Sequence, residues 1–410
     1  MKNIIVGQSG GPTAVINSSI AGVYKKAKEL GCNHVYGMVH GIEGFLNENI
    51  IDLDEYLSDE NNYELLKRTP SAFLGSCRYK LPKIEGNEEV YEKIFNILDK
   101  WEIDAFLYTG GNDSMDTIKM LSDYAKDHDK KQRFMGVPKT IDNDLPITDH
   151  CPGYGSAAKY IATSLKEIIR DNASFGKSRL TVCIVEIMGR HAGWLTAAAS
   201  LAKDDTCEGV DAIYLPENVF DLNEFLDNIK KLAQKKESIV IAVSEGIQTE
   251  DGKFVCELSD EARKVDAFGH KQLSGCASTL ANIVAKETGL KTRAIEFSTL
   301  QRAATHIASL TDINEAEAVG MKAVEEAFNG KTGMMITIER TNNNPYECTT
   351  NAYDIHNIAN VEKKVPLEWI DTKNNQMTNE FIKYARPLIQ GELTPIFKDG
   401  VPVHLIRKDN

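Results

Sequence analysis

The chain has 410 residues, 42% of them apolar and 26% charged, with a formal net charge of −13. That length provides for two domains, or one large one, around a full core, and the acidic balance argues against a general affinity for nucleic acid while leaving room for a local positive pocket. No apolar run is long enough to span a membrane.

Strands and helices then alternate along the chain. MKNIIVGQSGG reads as a strand entering a glycine turn rather than as a signal peptide. INSSIAGVYKKAKELG reads as a helix ending at Gly31, and HVYGMVHG as the next strand. The amphipathic helix EVYEKIFNILDKWEI leads to the strand DAFLYTGG, and a helical period resumes in MDTIKMLSDYAKDH. RFMGVPKT is a strand cut by Pro138, followed by the helix SAAKYIATSLKEIIRDNAS. The buried strand RLTVCIVEIMG precedes the helix AGWLTAAASLAK, the strand AIYLPE, the helix NEFLDNIKKLAQKK and the strand SIVIAVSEG. This order predicts an α/β fold of mainly parallel sheets with helices on both faces. The last fifty residues, with Pro366, Pro387, Pro395 and Pro402, read as an irregular tail. The eight cysteines form no CxxC pair and no metal-ligand spacing, so reduced thiols and a cytoplasmic location are expected.

Ligands of open α/β sheets sit beyond the carboxyl ends of the strands. Six turns at such ends carry residues capable of chemistry: GGPT at 10–13, GSCR at 75–78, GGNDS at 110–114, PKTIDND at 138–144, MGRHAG at 188–193 and SEG at 244–246. One glycine-rich turn is weak evidence, because tight packing explains it equally well; several polar, charged ones in register are not so easily explained. Asp113 stands in a turn whose glycines suit a phosphate, where a carboxylate repels one.

Taken together, GGPTAVIN, LGSCR, GGNDS, KTIDND, MGRHAGWL, SEG and TRAIEFSTLQR resemble the phosphofructokinase superfamily over roughly residues 3 to 310, in that family's order. The resemblance implies two Rossmann-like α/β/α domains and transfer of a phosphoryl group to the 1-hydroxyl of fructose 6-phosphate. It implies that Asp142 takes the proton of that hydroxyl, that Asp144 supports the site and that Thr140 contacts phosphate or sugar. Arg78 matches the arginine that bridges the phosphates, a task suited to a guanidinium, and Gly11 and Gly111 match glycines whose backbone lies against the donor. Met188, Gly189 and Arg190 match the sugar-phosphate loop, and Glu245 an acid on the sugar hydroxyls. Arg293 and Arg302, nine positions apart, match the arginine pair of the sugar's 6-phosphate, at a distance from the transfer site. Arg179 matches a third arginine, although two residues further from MGR than in the bacterial ATP enzymes. Arg179- and Arg293-like residues reach a neighbouring subunit's site in the family, so a homodimer or homotetramer is expected. Thr299 stands where many relatives have histidine, which argues against a ligand role for His270; His191, beside the MGR loop, reads as a capping or packing residue ahead of a ligand.

ATP-dependent relatives have glycine at the position of Asp113 and usually at that of Lys139. Two like charges about 4 Å apart at an effective dielectric near 20 repel by roughly 4 kcal/mol, about three decades in binding. A carboxylate at Asp113 therefore obstructs an α-phosphate, and Lys139 neutralises a leaving phosphate. The pair is the signature of the pyrophosphate-dependent branch, with Mg2+ expected as cofactor and Asn112 and Asp113 as its candidate ligands. Asn112 replaces an aspartate of most relatives, which removes one charge from that site. The alternatives are an ATP-dependent phosphofructokinase and a non-catalytic regulatory subunit; the latter fits poorly with a full set of Asp142, Asp144, Arg78, Arg190, Arg293 and Arg302. The resemblance places the donor domain at 1–150 plus about 303–355 and the sugar-phosphate domain at 151–302 plus about 356–410. Ala21 and Lys25 stand where bacterial ATP-dependent relatives have arginines that bind nucleotide effectors, so no such effector response is expected.

Overall fold

The computed structural model describes residues 1–176, 180–258, 275–358 and 362–408. The chain divides into two compact units, Met1–Ala157 with Arg302–Glu362 and Leu388–Asn410, and Ala158–Gln301 with Lys363–Pro387. The tail is thus divided between the units: the residues from Leu388 onward belong with the N-terminal unit, whereas the sequence reading put them with the sugar-phosphate domain.

The strands are β1 (Asn3–Gln8), β2 (His34–Met38), β3 (Ile50–Asp52), β4 (Ile103–Gly110), β5 (Arg133–Pro138), β6 (Thr181–Ile187), β7 (Ala212–Tyr214), β8 (Ile239–Ser244), β9 (Lys291–Glu296), β10 (Met334–Asn343) and β11 (Tyr346–Asp354). In the first unit the sheet runs β11-β10-β5-β4-β1-β2-β3. Its interior is parallel, with β1 paired to β2 and β4, β4 to β5, and β5 to β10. Every residue of β1 is buried, as a strand covered on both faces requires. The two edges depart from the expected parallel order: β3 runs antiparallel to β2 and β11 antiparallel to β10. Two residues join β10 to β11, and so short a link closes only a hairpin, since a parallel crossover needs a dozen or more.

Helices Ile16–Glu29 and Leu310–Phe328 share one core cluster with that sheet, in which Ile20 and Val23 meet Val319 and Val324. They approach at backbone distance through two glycines: a Cβ on Gly22 would lie 2.0 Å from the carbonyl oxygen of Glu317, and one on Gly320 2.1 Å from that of Ser19. A second cluster joins helices Glu88–Lys100 and Asn112–Asp127 through Ile94, Phe95, Met115 and Ile118.

The second unit holds a fully parallel sheet in the order β7-β8-β6-β9. Its core packs Val182, Ile184, Ile241 and Val243 against Phe225 and Ile229 of helix Leu222–Ala233 and Leu280 and Val284 of helix Cys276–Thr288. AGWLTAAASLAK, read as one helix, is a short helix Trp194–Ala197 continued by a 3-10 turn to Ala202. The tail is more ordered than its prolines suggested, with a helix at Asn379–Ala385 and two small strand pairs. No disulfide joins any two of the eight cysteines, and all but Cys348 are buried.

Candidate active site

In the first unit, three strand ends bring the predicted donor residues together. β1 runs into the turn Ser9–Gly11, where Gly10 has φ +73° and its N–H donates to the Cys77 carbonyl at 3.1 Å. Ser76 Oγ donates back to the Gly10 carbonyl at 2.6 Å, so the LGSCR segment is docked on the glycine turn and the exposed Arg78 follows directly. Two buried amides hold that dock. Gln8 donates to Asn17 Oδ1 at 3.0 Å and accepts from the Leu74 N–H at 2.9 Å; Asn17 donates to the Thr69 carbonyl at 2.8 Å and accepts from the Phe73 N–H at 2.9 Å.

β4 ends at Gly110, and Gly111 caps helix Asn112–Asp127. Gly110 is required by packing, because a Cβ there would lie 1.9 Å from Ser114 Oγ, whereas Gly111 meets only the Lys139 carbonyl at 3.7 Å. The free N–H groups of a helix start attract anions. Asp113 sits exposed in that first turn, where a carboxylate complements the helix dipole and competes with any further anion. Asn112 donates to Asp144 Oδ2 at 3.1 Å, and its own Oδ1 is buried with no hydrogen-bond partner.

β5 delivers Lys139, whose side chain is buried. Its ammonium donates to the Gly11 carbonyl at 2.8 Å, and its backbone N–H to the Gly110 carbonyl at 3.1 Å. Burial lowers its pKa to about 8, against the opposing pull of Asp142 and Asp144. Thr140 Oγ1 accepts from the Asp142 N–H at 3.0 Å. Asn143, buried in the left-handed region at φ +55°, accepts from the Cys151 N–H at 2.9 Å. That bond closes the loop. Asp142 keeps contact with solvent, yet desolvation by the protein around it and the neighbouring Asp144 raise its pKa to about 6, against Lys139 and Arg302.

The return limb of this loop is anchored by helix Leu310–Phe328. Buried Asp312 accepts from the Gly153 and Ser156 N–H groups, both at 2.8 Å. His150 lies between Asp149 Oδ2 at 2.8 Å and Glu315 Oε2 at 2.6 Å. Burial draws its pKa down, but Glu315 and Asp149 more than reverse this, to about 9. None of Gln8, Asp312 and Glu315 was singled out in the sequence. Their signal was there: polar residues at positions where the strand and helix patterns call for apolar ones.

In the second unit, the MGR loop rests on the SEG turn. The Glu245 N–H donates to the Ile187 carbonyl at 2.9 Å, and Glu245 Oε1 accepts from the Gly189 N–H at 3.4 Å. Ser244 Oγ donates to the Gly189 carbonyl. Gly189 has φ +145°, and a Cβ on Gly246 would lie 2.0 Å from the Arg190 carbonyl oxygen, so both glycines are obligatory. Gln301 accepts from the Met188 N–H at 3.4 Å. Glu217 also ties this region down, accepting from Gly193 N–H at 2.8 Å and from Val365 N–H at 3.0 Å. Arg293 is turned instead to Asp171, 2.9 Å away, with its guanidinium over Phe175. His191 is exposed. Arg179 and His270 lie outside the described residues.

A family model for phosphofructokinase matches residues 3–327. The chain belongs to the phosphofructokinase family. It is 40% identical over 403 residues to a Methylococcus capsulatus protein named pyrophosphate–fructose 6-phosphate 1-phosphotransferase, covering 98% of this chain and 94% of that one. A Xanthomonas campestris protein of the same name is 40% identical over 408 residues, covering 99% and 96%. The crystal structure of a pyrophosphate-dependent phosphofructokinase from Nitrosospira multiformis superposes with a TM-score of 0.89 at 38% identity, covering 98% of this chain and 96% of that one. Enzymes of the family generally need a divalent metal. The residues present fit such an ion: the unpartnered, buried Asn112 Oδ1 is an oxygen donor beside the carboxylate of Asp144. Among the described residues, no helix is long and apolar enough to cross a membrane.

Proposed function

We propose that this chain transfers a phosphoryl group from pyrophosphate to the 1-hydroxyl of fructose 6-phosphate, reversibly, giving fructose 1,6-bisphosphate and phosphate; that is, it is a diphosphate–fructose-6-phosphate 1-phosphotransferase of glycolysis and gluconeogenesis. The observation that carries this reading is the buried Lys139 ammonium, 2.8 Å from the Gly11 carbonyl, with Asp113 at the start of the neighbouring helix. A fixed cation at the donor turn suits a short, highly charged donor, and the carboxylate opposes the α-phosphate of a nucleotide.

In this mechanism Asp142 accepts the proton of the 1-hydroxyl as that oxygen bonds to phosphorus. The bridging P–O bond of pyrophosphate breaks, and the leaving phosphate takes the electron pair. Lys139 and Arg78 neutralise the charge on the two phosphates, so that catalysis rests on positioning and fixed charge. A divalent cation, Mg2+ in this reading, supplies further neutralisation of the pyrophosphate, with Asn112 Oδ1 and Asp113 as the residues that would hold it. Thr140 and Asp144 complete the transfer site. Met188, Gly189, Arg190 and Glu245 bind the sugar phosphate, with Arg293 and Arg179 as contributors across subunits of a cytoplasmic homodimer or homotetramer. A coupled assay of fructose 1,6-bisphosphate formation, comparing pyrophosphate with ATP, tests the reading. Turnover with pyrophosphate alone is expected; equal or better turnover with ATP rejects it.

A further inference from the structure

β6 is buried throughout, and one carboxylate lies in it: Glu186, two positions before the MGR loop opens at Met188. Its Oε2 accepts from the Ala277 N–H at 2.9 Å, and the Gly275 and Cys276 N–H groups also bond to it. These groups open helix Cys276–Thr288, whose own first turn holds no acid and whose N-cap is a glycine. The anion that such a terminus favours therefore comes from the strand. The backbone of the same residue is held on another flank. The Glu186 carbonyl accepts from the Phe297 N–H at 3.1 Å, where β9 gives way to the segment carrying Gln301, and Gln301 accepts from the Met188 N–H at 3.4 Å. Glu186 thus joins the end of β6 to a helix start and to the exit of β9, one position before the Ile187 carbonyl that holds the Glu245 N–H. Burial raises its pKa from 4.5 to about 7, opposed by the N–H groups of Ala277, Gly275 and Cys276 and supported by the like charge of Glu296 on β9. The thiols of Cys256 and Cys276 interact with it, and Glu245 acts on the same two thiols. With the folded pKa above the free value, ionising Glu186 destabilises the fold progressively as pH rises from 4.5 through about 7. A glutamine would accept the Ala277 N–H without that penalty, and a charge kept where the fold disfavours it is a sign of function.

We propose that Glu186 is a positioning residue for the sugar phosphate: its carboxylate clamps the end of β6 to the start of helix Cys276–Thr288 and so holds the Met188–Arg190 loop in the geometry that binds fructose 6-phosphate. The inference rests on the function proposed above and deepens its sugar-phosphate half. Glu186 itself touches no substrate. It acts through Met188 and Gly189, whose N–H groups meet Gln301 and Glu245 when β6 ends in the right place. A loop fixed in advance loses less freedom when the anion arrives. A looser strand end lowers affinity for the sugar phosphate and leaves the donor turns, which belong to the other unit, as they are.

The test compares the full-length protein with Glu186→Gln, which keeps the volume and an acceptor oxygen and removes the charge. Binding of fructose 6-phosphate without donor is read by calorimetry at pH 6 and pH 8, beside the melting temperature and the KM of each substrate in the pyrophosphate assay. At pH 8 the variant should bind fructose 6-phosphate about tenfold more weakly, with kcat and the KM for pyrophosphate within about threefold of the unmodified protein. It should melt no lower, because the buried charge is gone. At pH 6, where Glu186 is mostly protonated in the unmodified protein, the two proteins should bind the sugar phosphate within about twofold of each other; the comparison cancels the titration of the sugar phosphate itself. Equal binding at pH 8, or the same loss at both pH values, overturns the inference. So does a variant whose melting temperature falls while both KM values rise together, which marks a merely structural cap. A protein that binds fructose 6-phosphate but makes no product from pyrophosphate fails the proposed function instead, and the binding comparison still decides the role of Glu186.

Discussion

Replacing Lys139 by methionine keeps the length and burial of the side chain and removes only its charge. The ammonium is already stripped of water: burial brings its pKa from 10.5 to about 8, a cost of roughly 3 kcal/mol at 1.36 kcal/mol per unit. Folding has met that cost, so the donor gains most of the attraction when it binds. A unit charge about 4 Å from a phosphate oxygen at an effective dielectric near 20 is worth roughly 4 kcal/mol. The variant should therefore lose about two to three decades of kcat/KM for pyrophosphate. The pH profile gives a second, independent readout. Asp142 must be ionised to act as base, so kcat/KM should rise through about pH 6. Lys139 must be protonated, so it should fall again through about pH 8. In the methionine variant the alkaline limb should disappear. The acid limb should move upward, because Lys139 is one of the groups holding the Asp142 pKa down. Comparing the two proteins cancels the titration of pyrophosphate itself. A loss below about tenfold, or an alkaline limb that survives the substitution, refutes the role.

Asp142→Ser should leave substrate binding nearly unchanged and reduce turnover by roughly two to four decades; a loss under tenfold in a steady-state assay removes Asp142 from the role of base. Asp113→Gly takes an exposed carboxylate from the start of helix Asn112–Asp127 and should raise kcat/KM for ATP by up to about three decades; an unchanged preference for pyrophosphate over ATP shows that Asp113 does not set it. Saturation with fructose 6-phosphate should be hyperbolic and insensitive to millimolar ADP or phosphoenolpyruvate, because Ala21 is buried and Lys25 pairs with Glu317 at 3.5 Å. A Hill coefficient well above one that ADP abolishes contradicts this.

The α/β alternation was legible because central strands such as NIIVGQ are apolar throughout and the helices between them keep a clean period. The antiparallel edges were not legible by periodicity, since β3 and β11 are half-exposed and a polar-and-apolar strand reads alike in either direction. Only the two residues between β10 and β11 reveal the hairpin. The division of the tail was also hidden. It depends on single long-range bonds, such as Arg68 Nε donating to the Thr394 carbonyl at 2.9 Å and the Leu405 N–H to Thr69 Oγ1 at 2.9 Å. No local pattern announces either.

The candidate site shows a similar division, with a more informative cause. Residues proposed to meet substrate stand in short motifs, because a strand end followed by a tight turn packs several donors into a few positions: Lys139, Thr140, Asp142 and Asp144 come from one turn. The residues that hold those turns in place are dispersed. Gln8 and Asn17 secure the segment leading to Arg78 across more than fifty positions of sequence. Asp312 and Glu315 reach Gly153, Ser156 and His150 from a helix more than 150 positions further on. Such bonds matter to phosphoryl transfer because fixed charges are effective only when they need no reorganisation at the moment of reaction. A lysine buried at the cost of its own hydration is useful only if the loop that presents it does not yield. Here the loop is closed on itself by Asn143 and Cys151 and held on its return by two buried carboxylates. The donor preference proposed for Asp113 and Lys139 therefore depends on residues that never touch a phosphate, and exchanging those two residues for glycine without this support should admit ATP more readily than it creates an efficient ATP enzyme.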